Sequence, residues 1–254
     1  MAPENTSRTL TGRPVILAGG SGGLGAAVAE YVAGRGGIPV IGCLGNLDRA
    51  RNLAGDIESR HGVLCPVVSG DVLDSDVRQR LLEAAAQAGS LYGLVPLVGQ
   101  PVRIPLEDAS EADFAASMRI NFVAPVLLAR DFAAAAGKDA SIVFVATMQA
   151  VGVFPGSTLY AAPKAALVHT ARILARQWGG GGVRVNVVAP GVTTSGMAKA
   201  SVRSGKYDPF LRNGVIARFG EAPDIARAIG LFLEPDNYIT GQVLTVDGGL
   251  TSRM

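Results

Sequence analysis

Two side chains capable of proton exchange stand four residues apart in this chain: the phenol of Tyr160 and the ammonium group of Lys164. In an α-helix, side chains at this spacing lie on one face, with Cβ atoms about 6 Å apart. A free phenol has a pKa of about 10, and a neighbouring cation favours the phenolate and so lowers that pKa. The spacing therefore predicts an acid–base pair, unless the two side chains only cover a solvated face of a helix.

A glycine-rich loop near the N-terminus is a candidate phosphate-binding site. Gly19, Gly23 and Gly25 follow a predicted strand and open a predicted helix. Glycine allows a tight turn and a close approach of backbone to a pyrophosphate, and the helix start presents unpaired N–H groups and a positive dipole end. We expect dinucleotide binding here, with a glycine-rich turn that holds no ligand as the alternative.

The same loop also satisfies the Gly-x-Ser-x-Gly pattern of α/β-hydrolases, in which Ser21 would be the nucleophile. Such a site needs an acid and then a histidine further along the chain. The two histidines, His61 and His169, fall in predicted helices, and no histidine lies near the C-terminus. A hydrolase is therefore kept only as a subordinate alternative.

Short apolar runs that alternate with helix-like segments must position these groups. The predicted strands are Pro14–Leu17, Ile38–Cys43, Val63–Val68, Gly93–Val98, Ser141–Ala146, Val183–Val188 and Val243–Val246. The predicted helices cover residues 24–35, 47–60, 74–88, 108–136, 157–178 and 222–233. Continuous apolar strands are typical of a parallel sheet covered on both faces, and strand–helix alternation is typical of βαβ units.

These patterns predict the α/β class and a single-domain, doubly wound Rossmann fold. We expect a seven-stranded parallel sheet with helices on both faces over residues 13–254, and a flexible tail at residues 1–12.

Charge and cysteine content argue against several classes of function. The 23 Lys and Arg residues are scattered and the formal net charge is only +2, so no basic surface for nucleic acid is expected. No apolar run reaches the roughly 18 residues of a membrane span, and residues 1–13 do not resemble a signal peptide. Cys43 and Cys65 lie in apolar runs, as buried free thiols of a cytoplasmic protein would. No His, Cys or carboxylate cluster has the spacing of a metal site.

Over residues 12 to 250 the chain resembles the short-chain dehydrogenase/reductase family, because several ordered motifs match. The glycine loop corresponds to the family's Thr-Gly-x-x-x-Gly-x-Gly motif, with Ala18 in place of the threonine, and Tyr160 and Lys164 correspond to its tyrosine and lysine. The remaining matches are Asp71-Val72, Asn121, Pro190-Gly191, Ser195, Tyr238–Gln242 and Val246–Gly249.

The resemblance implies hydride transfer between NAD(P)(H) and a carbonyl or secondary alcohol. It makes Tyr160 the general acid in reduction, or the base in oxidation, and has Lys164 bind the nicotinamide ribose and lower the tyrosine pKa. Thr147 would polarise the carbonyl, and Asn121 would hold a water that links Lys164 to solvent. The implied cofactor-binding residues are Gly19, Ser21, Gly23, Leu24, Gly25, Asn46, Asp71, Val72, Gly99, Tyr160, Lys164, Pro190, Gly191, Val192 and Ser195.

Two departures from the family pattern concern the predicted site. The usual Asn-Asn-Ala-Gly at the fourth strand is Pro96-Leu97-Val98-Gly99 here, and proline removes a backbone donor from a central strand. The usual catalytic serine, thirteen residues before the tyrosine, is Thr147, whose added methyl restricts χ1. They motivate the alternative of a non-catalytic dinucleotide-binding homologue.

The sequence also bears on the choice of cofactor, the class of substrate and the oligomeric state. The end of the second strand, residues 42–49, has no acid at its turn to bind a ribose 2′-hydroxyl, so NADP is preferred over NAD, with Arg49 near a 2′-phosphate. The overall pattern is most similar to 3-oxoacyl-acyl-carrier-protein reductases and related ketoreductases, which implies a small-molecule carbonyl substrate. Family members pair the helices that correspond to residues 108–136 and 157–178, so we expect a homo-oligomer, either a tetramer or a dimer.

Overall fold

In a computed structural model, which describes residues 9–196, 199–205, 207–213 and 215–253, the strands form one all-parallel sheet. Its strand order is β3-β2-β1-β4-β5-β6-β7. The strands are β1 (Pro14–Ala18), β2 (Ile38–Cys43), β3 (Val67–Ser69), β4 (Gly93–Pro96), β5 (Ala140–Val145), β6 (Val183–Pro190) and β7 (Val243–Val246). The predicted seven-stranded parallel sheet is confirmed.

Helices cover both faces of this sheet. They are α1 (Gly23–Gly34), α2 (Leu47–His61), α3 (Ser75–Ala88), α4 (Glu111–Met118), α5 (Ala124–Ala135), α6 (Thr158–Trp178), α7 (Lys199–Arg203), α8 (Asp208–Asn213) and α9 (Ala222–Leu233). Neighbouring residues of β1 point to opposite faces, so Ile16 packs with α3, α5 and α6, whereas Val15 and Leu17 pack with α1, α2 and α9. Burial on both faces explains why the strands are continuously apolar.

The long helix expected at residues 108–136 is divided. Helix α4 begins at Glu111, because Ser110 and Asp113 form a capping box at its start. A π-helical turn, Arg119–Val123, then separates α4 from α5. Single π turns inside helices are frequent at functional sites, and this one contains Asn121.

The stretch Glu111–Ala135 is also long and apolar enough to cross a membrane by length and composition alone. Its face toward the sheet carries Leu128 and Phe132, both fully buried in the protein core. The core helix of a soluble protein can meet the same criteria of length and composition.

The third strand is shorter than expected and starts later. The prediction was Val63–Val68, but pairing with β2 begins at Val67. Pro66 lacks an N–H group for the ladder, and Leu64 is exposed, so residues 63–66 form a connection and not a strand.

Pro96 is accommodated because it lies at the end of β4. The N–H of Leu97 donates to Ala18 O on β1, so the donor that Pro96 lacks would have faced β5. Pairing between β4 and β5 already ends at Leu94 and Ile142. The proline therefore leaves no gap in the ladder, and β4 and β5 separate at the edge where the strands end.

The packed part of the chain begins before residue 13. Leu10 is buried in the core beside α1, and its N–H donates to Arg35 O. Gly12 donates in the same way to Gly36 O. Residues 9–12 are thus attached to the body, whereas the rest of the predicted tail lies outside the described residues.

Candidate functional site

A cleft of about 620 Å³ lies at the carboxyl ends of the strands, on the side where β1 and β4 are neighbours. The strand order reverses there, which is where ligands bind in open α/β sheets. Twelve of the predicted site residues line it: Gly19, Gly23, Leu24, Gly25, Gly99, Thr147, Tyr160, Lys164, Pro190, Gly191, Val192 and Ser195.

The glycine loop connects β1 to α1 at one end of the cleft. Gly19 has a φ of 88°, in the left-handed region that favours glycine. A Cβ atom at Gly25 would lie 2.4 Å from Gly19 O, so the loop packs as closely as it does only with glycine at this position. Gly22 caps α1 without any side-chain hydrogen bond, which leaves the first N–H groups of the helix for a ligand.

Tyr160 and Lys164 lie in the first two turns of α6. Lys164 is only 3% exposed, and its Nζ donates to Val145 O at 2.9 Å, at the end of β5. Burial lowers the pKa of Lys164 to about 8, because a charged ammonium is disfavoured away from water.

The pKa of Tyr160 moves in the direction opposite to the one expected from its spacing to Lys164. Burial first, and the facing Tyr207 second, raise the pKa of the Tyr160 phenol to about 12. Lys164 is not among the causes of this shift, and its ammonium instead donates to Val145 O. Desolvation of the phenolate therefore dominates. The phenol is therefore neutral near pH 7, which is the form that can donate a proton.

In the turn of α6 that carries Tyr160, one backbone carbonyl accepts its hydrogen bond from a side chain of another helix. Pro163 lies inside α6 and has no N–H to donate to Leu159 O, four residues earlier. The hydroxyl of Ser117, on α4, donates to that carbonyl in its place. Ser117 is 2% exposed and also accepts from Asn121 Nδ2 at 3.2 Å.

Asn121 is fully buried just behind the cleft and fixes the loop that follows β4. Its Oδ1 accepts from Gln100 N at 2.9 Å, and its Nδ2 donates to Gln100 O at 3.0 Å. A Cβ atom at Gly99 would lie 2.9 Å from Asn121 Oδ1 and 3.3 Å from Lys164 Nζ. Gly99, the one residue that matches the family's fourth-strand motif, thus lets Asn121 and Lys164 approach the same point of the backbone.

Thr147 follows β5 and faces the cleft. Its Oγ1 accepts from Gln149 N at 3.3 Å, and the side chain is 9% exposed. A hydroxyl that accepts one hydrogen bond keeps its own hydrogen for another partner. The threonine can therefore donate to a carbonyl oxygen as a serine would.

Several lining residues were missed by sequence analysis. They are Arg103 after β4, Phe154, Pro155 and Ser157 before α6, and Tyr207 before α8. They lie in loops, where neither periodicity nor spacing indicates which way a side chain points. Ser117 was missed as well, although Pro163 within the helix was a signal that Leu159 O needs another donor.

Four predicted cofactor residues and Asn121 do not line the cleft. Asn46 Oδ1 caps α2 by accepting from Arg49 N at 3.0 Å. Asp71 Oδ1 accepts from Leu73 N, and Val72 is buried in the core. Asn46, Asp71 and Val72 follow β2 and β3, beside the cleft on the side of the glycine loop, and the fourth residue, Ser21, belongs to that loop.

The segment after β6 completes the cleft and contains an unsatisfied polar group. A Cβ atom at Gly191 would lie 2.6 Å from Asp247 Cα, so these segments pack closely only because glycine is present. Ser195 Oγ is buried without a hydrogen-bond partner among the described residues. A buried hydroxyl of this kind is costly unless a ligand pairs with it. With the uncapped start of α1, it fits a polar, anionic cofactor.

Comparison with known proteins identifies the family. A family model described as enoyl-(acyl carrier protein) reductase matches residues 18–251. The 3-oxoacyl-[acyl-carrier-protein] reductase of Bos taurus is 34% identical and aligns with 93% of this chain and 97% of its own. The chain belongs to the short-chain dehydrogenase/reductase family. It is therefore a member of a family of oxidoreductases, as its motifs predicted.

Other relatives and solved structures of the family agree. A tropinone reductase homologue of Arabidopsis thaliana is 30% identical over 96% of this chain and 94% of its own. A short-chain dehydrogenase from Burkholderia cenocepacia, solved with NADP, superimposes with a TM-score of 0.88 at 30% identity and covers 96% of this chain and 99% of its own. A blue fluorescent protein from a metagenomic library, solved with NADPH, has a TM-score of 0.87, 30% identity and the same coverage.

Membership of the short-chain dehydrogenase/reductase family makes the hydrolase alternative wrong. Ser21 does not line the cleft, and no histidine does among the residues that the structure describes. His61 instead lies 2.6 Å from Glu30 Oε1, on the outer side of α1 and α2. The non-catalytic alternative also gains no support, because Thr147 and Tyr160 face one cleft with Lys164.

The cysteines of this short-chain dehydrogenase/reductase are free and buried, as expected. Burial raises the pKa of the Cys65 thiol to about 12, so it is a poor nucleophile. No group of three or more potential metal ligands occurs within the described parts of the chain.

Proposed function

We propose that this protein is an NADP(H)-dependent reductase that converts a ketone to a secondary alcohol, or runs the reverse oxidation. The observation that carries the proposal is the convergence of Thr147, Tyr160 and Lys164 on the cleft that the glycine loop also lines. A bound nicotinamide cofactor supplies or accepts the hydride, and the protein supplies orientation and proton transfer.

Tyr160 is the proposed proton donor in reduction. Hydride addition at the carbonyl carbon breaks the C=O π bond and places a negative charge on the oxygen, which takes the phenol proton of Tyr160. The raised pKa of Tyr160 keeps that proton in place near neutral pH. Thr147 donates a hydrogen bond to the same oxygen and stabilises the charge as it develops.

Lys164 and Asn121 assist this proton transfer without donating the proton themselves. Lys164 would hold the ribose hydroxyls of the cofactor, and its ammonium would favour the phenolate left on Tyr160 after donation. Asn121 fixes Gln100 and the loop beside Lys164. We propose that the π turn at Asn121 also holds the water through which Lys164 exchanges a proton with solvent.

The cofactor-binding surface extends over the glycine loop and the ends of β2 and β3. We assign the pyrophosphate to the start of α1 and a polar group near the nicotinamide to Ser195 Oγ, on the grounds of its unsatisfied hydrogen-bond capacity. The adenosine half would lie against Asn46, Asp71 and Val72.

NADP is the preferred cofactor in this proposal. The turn after β2 carries exposed Leu44 and the helix cap Asn46 and no carboxylate of its own, and the nearest acid, Asp48, lies in the first turn of α2. Arg49 is exposed one turn into α2 and no hydrogen bond or ion pair engages its guanidinium among the described residues. The solved relatives that contain NADP or NADPH support the same preference.

For the substrate, we propose a 3-oxoacyl thioester or a related ketone. The walls around Tyr160 are largely apolar, formed by Val102, Met148, Phe154 and Tyr207. The similarity to 3-oxoacyl-[acyl-carrier-protein] reductases supports this class.

Cofactor titration and turnover test the proposal. NADPH should bind at least tenfold more tightly than NADH, and NADPH should be oxidised with members of a panel of 3-oxoacyl thioesters, ketones and quinones. Tenfold preference for NADH would overturn the cofactor assignment. Binding of neither cofactor would overturn the reductase assignment.

A further inference from the structure

The loop after β4 contributes a cation, Arg103, to the lining of the cleft. Arg103 lines the same cleft as Thr147 and Tyr160, and its side chain is exposed. Within the described residues, no hydrogen bond and no salt bridge engages the Arg103 guanidinium. By contrast, Arg78 and Arg218 each pair with an aspartate.

No carboxylate accompanies this cation among the described residues that line the cleft. Among the described residues, the lining contains no Asp or Glu at all, and its other ionisable members are Tyr160, Lys164 and Tyr207. The nearest acids along the chain, Glu107 and Asp108, are exposed on the following 3₁₀ turn and do not line the cleft. The fixed charge of this described lining is therefore positive.

The backbone beside Arg103 is held in place by the catalytic machinery. Asn121 binds both the N–H and the C=O of Gln100, three residues before Arg103. Pro101 and Pro105 restrict the φ angles on either side of Arg103. A cation on a restrained backbone loses less entropy on binding than one on a free loop, so this segment is preorganised to hold a partner.

From these observations we infer that Arg103 binds an oxyanion, a carboxylate or a phosphate, carried by the substrate away from its reacting carbonyl. This inference rests on the proposed function and narrows its substrate class to anionic ketones and alcohols. The guanidinium presents a planar fork of donors that matches both kinds of oxyanion, while the apolar walls hold the carbon skeleton between the anion and Tyr160.

Matched pairs of substrates test the inference in turnover. One pair is a 3-oxo dicarboxylic acid and its dimethyl ester, and the other is a 3-oxoacyl phosphopantetheine and the corresponding 3-oxoacyl pantetheine, which lacks only the phosphate. The wild type should have a higher kcat/KM for the anionic member of at least one pair, and the pair that responds identifies carboxylate or phosphate. Equal values within both pairs would overturn the inference.

Variants then assign that preference to Arg103. Arg103→Gln should lower kcat/KM about tenfold or more for the preferred anion, the loss typical of a charge-assisted hydrogen bond, and about twofold or less for its neutral partner. Arg103→Lys should retain part of the preference. Arg51→Gln, which removes an exposed arginine of α2 that does not line the cleft, is the matched control and should change neither. An equal loss on both members of a pair, or a change confined to the KM for NADPH, contradicts the inference.

A binding measurement keeps this test independent of turnover. Calorimetric titration with saturating NADPH uses the anion that the turnover pairs identify: adipate against dimethyl adipate for a carboxylate, or phosphopantetheine against pantetheine for a phosphate. The anionic member should bind more tightly, and Arg103→Gln should abolish the difference. Failure of the proposed function would appear as absent NADPH oxidation with every carbonyl compound. Failure of the present inference would appear as equal binding of the anionic and the neutral compound of that pair, or as a difference that survives in Arg103→Gln.

Discussion

The hydroxyl of Thr147 can be tested separately from the packing of its methyl group. Thr147→Ala removes the donor proposed for the carbonyl oxygen and should lower kcat/KM by about a hundredfold, as loss of an oxyanion-type donor does. Thr147→Ser keeps the donor and should retain or raise activity. Steady-state kinetics and melting temperature should be measured together. Near-normal turnover with a lowered melting temperature in Thr147→Ala would limit Thr147 to a packing role.

Lys164 is expected to destabilise the fold near neutral pH. Its pKa is about 8 in the folded state against an ordinary value of 10.5, so below pH 8 folding must bury a charge that the unfolded chain leaves in water. Between these values the unfolded state binds more protons, and stability therefore rises with pH.

Lys164→Met should consequently be more stable than the wild type at pH 7, by about 1 to 3 kcal/mol, although inactive. The advantage should shrink as pH approaches 10.5. Denaturant unfolding at pH 7 and pH 10 measures both values, and Lys138→Met, at an exposed lysine, is the control that should show no gain. A variant that is less stable at pH 7 and unaffected by pH contradicts this account.

At the scale of elements, the Ser117 hydroxyl joins α4 to the turn of α6 that carries Tyr160. Ser117→Ala would leave Leu159 O without a donor, which should cost about 1 to 3 kcal/mol of unfolding free energy and lower kcat/KM. In a Pro163→Ala background the helix regains its own N–H donor, so the same change should cost much less.

This double-mutant cycle measures how far the N–H of residue 163 can replace the Ser117 hydroxyl as the donor to Leu159 O. Ser117→Thr retains the hydroxyl and serves as the conservative variant. If Ser117→Ala costs the same in both backgrounds, the serine acts through packing alone and Pro163 is unrelated to it.

At the scale of the whole molecule, the outer faces of α4 and α6 retain exposed apolar residues. Phe114 on α4, Val123 in the π turn and Ile173 on α6 are 37%, 36% and 45% exposed. These are the helices that the family resemblance placed at an interface, and contiguous apolar exposure is typical of such a surface.

We therefore expect a dimer or tetramer in light scattering at micromolar concentration. Ile173→Arg should reduce the mass toward that of one chain, because it places charge in an apolar contact. Ile216→Arg, at an exposed apolar residue outside these helices, is the control that should leave the mass unchanged. A wild-type mass of one chain would contradict the expectation.

Local patterns were sufficient for the order of the strands and of the helices between them, but not for α7 and α8, and they selected most of the predicted site residues that line the cleft. The period of the apolar residues and the length of each apolar run distinguished strands from helices. The glycine loop and the Tyr160–Lys164 spacing are local features that a single segment determines. Boundaries were less predictable, because β3 depends on where β2 pairs with it and the π turn depends on how α4 and α5 pack.

The sequence by itself determined the parallel α/β fold and the family, and it supplied the residues that we propose carry the chemistry. Only the tertiary structure decided the direction in which the pKa of Tyr160 moves, since burial by distant segments raises it. It also paired Ser117 with the carbonyl that Pro163 leaves free, and brought Arg103 to the cleft. The physical reason is the same in each case: desolvation and hydrogen-bond partners are properties of segments that meet in space, which spacing along the chain does not encode.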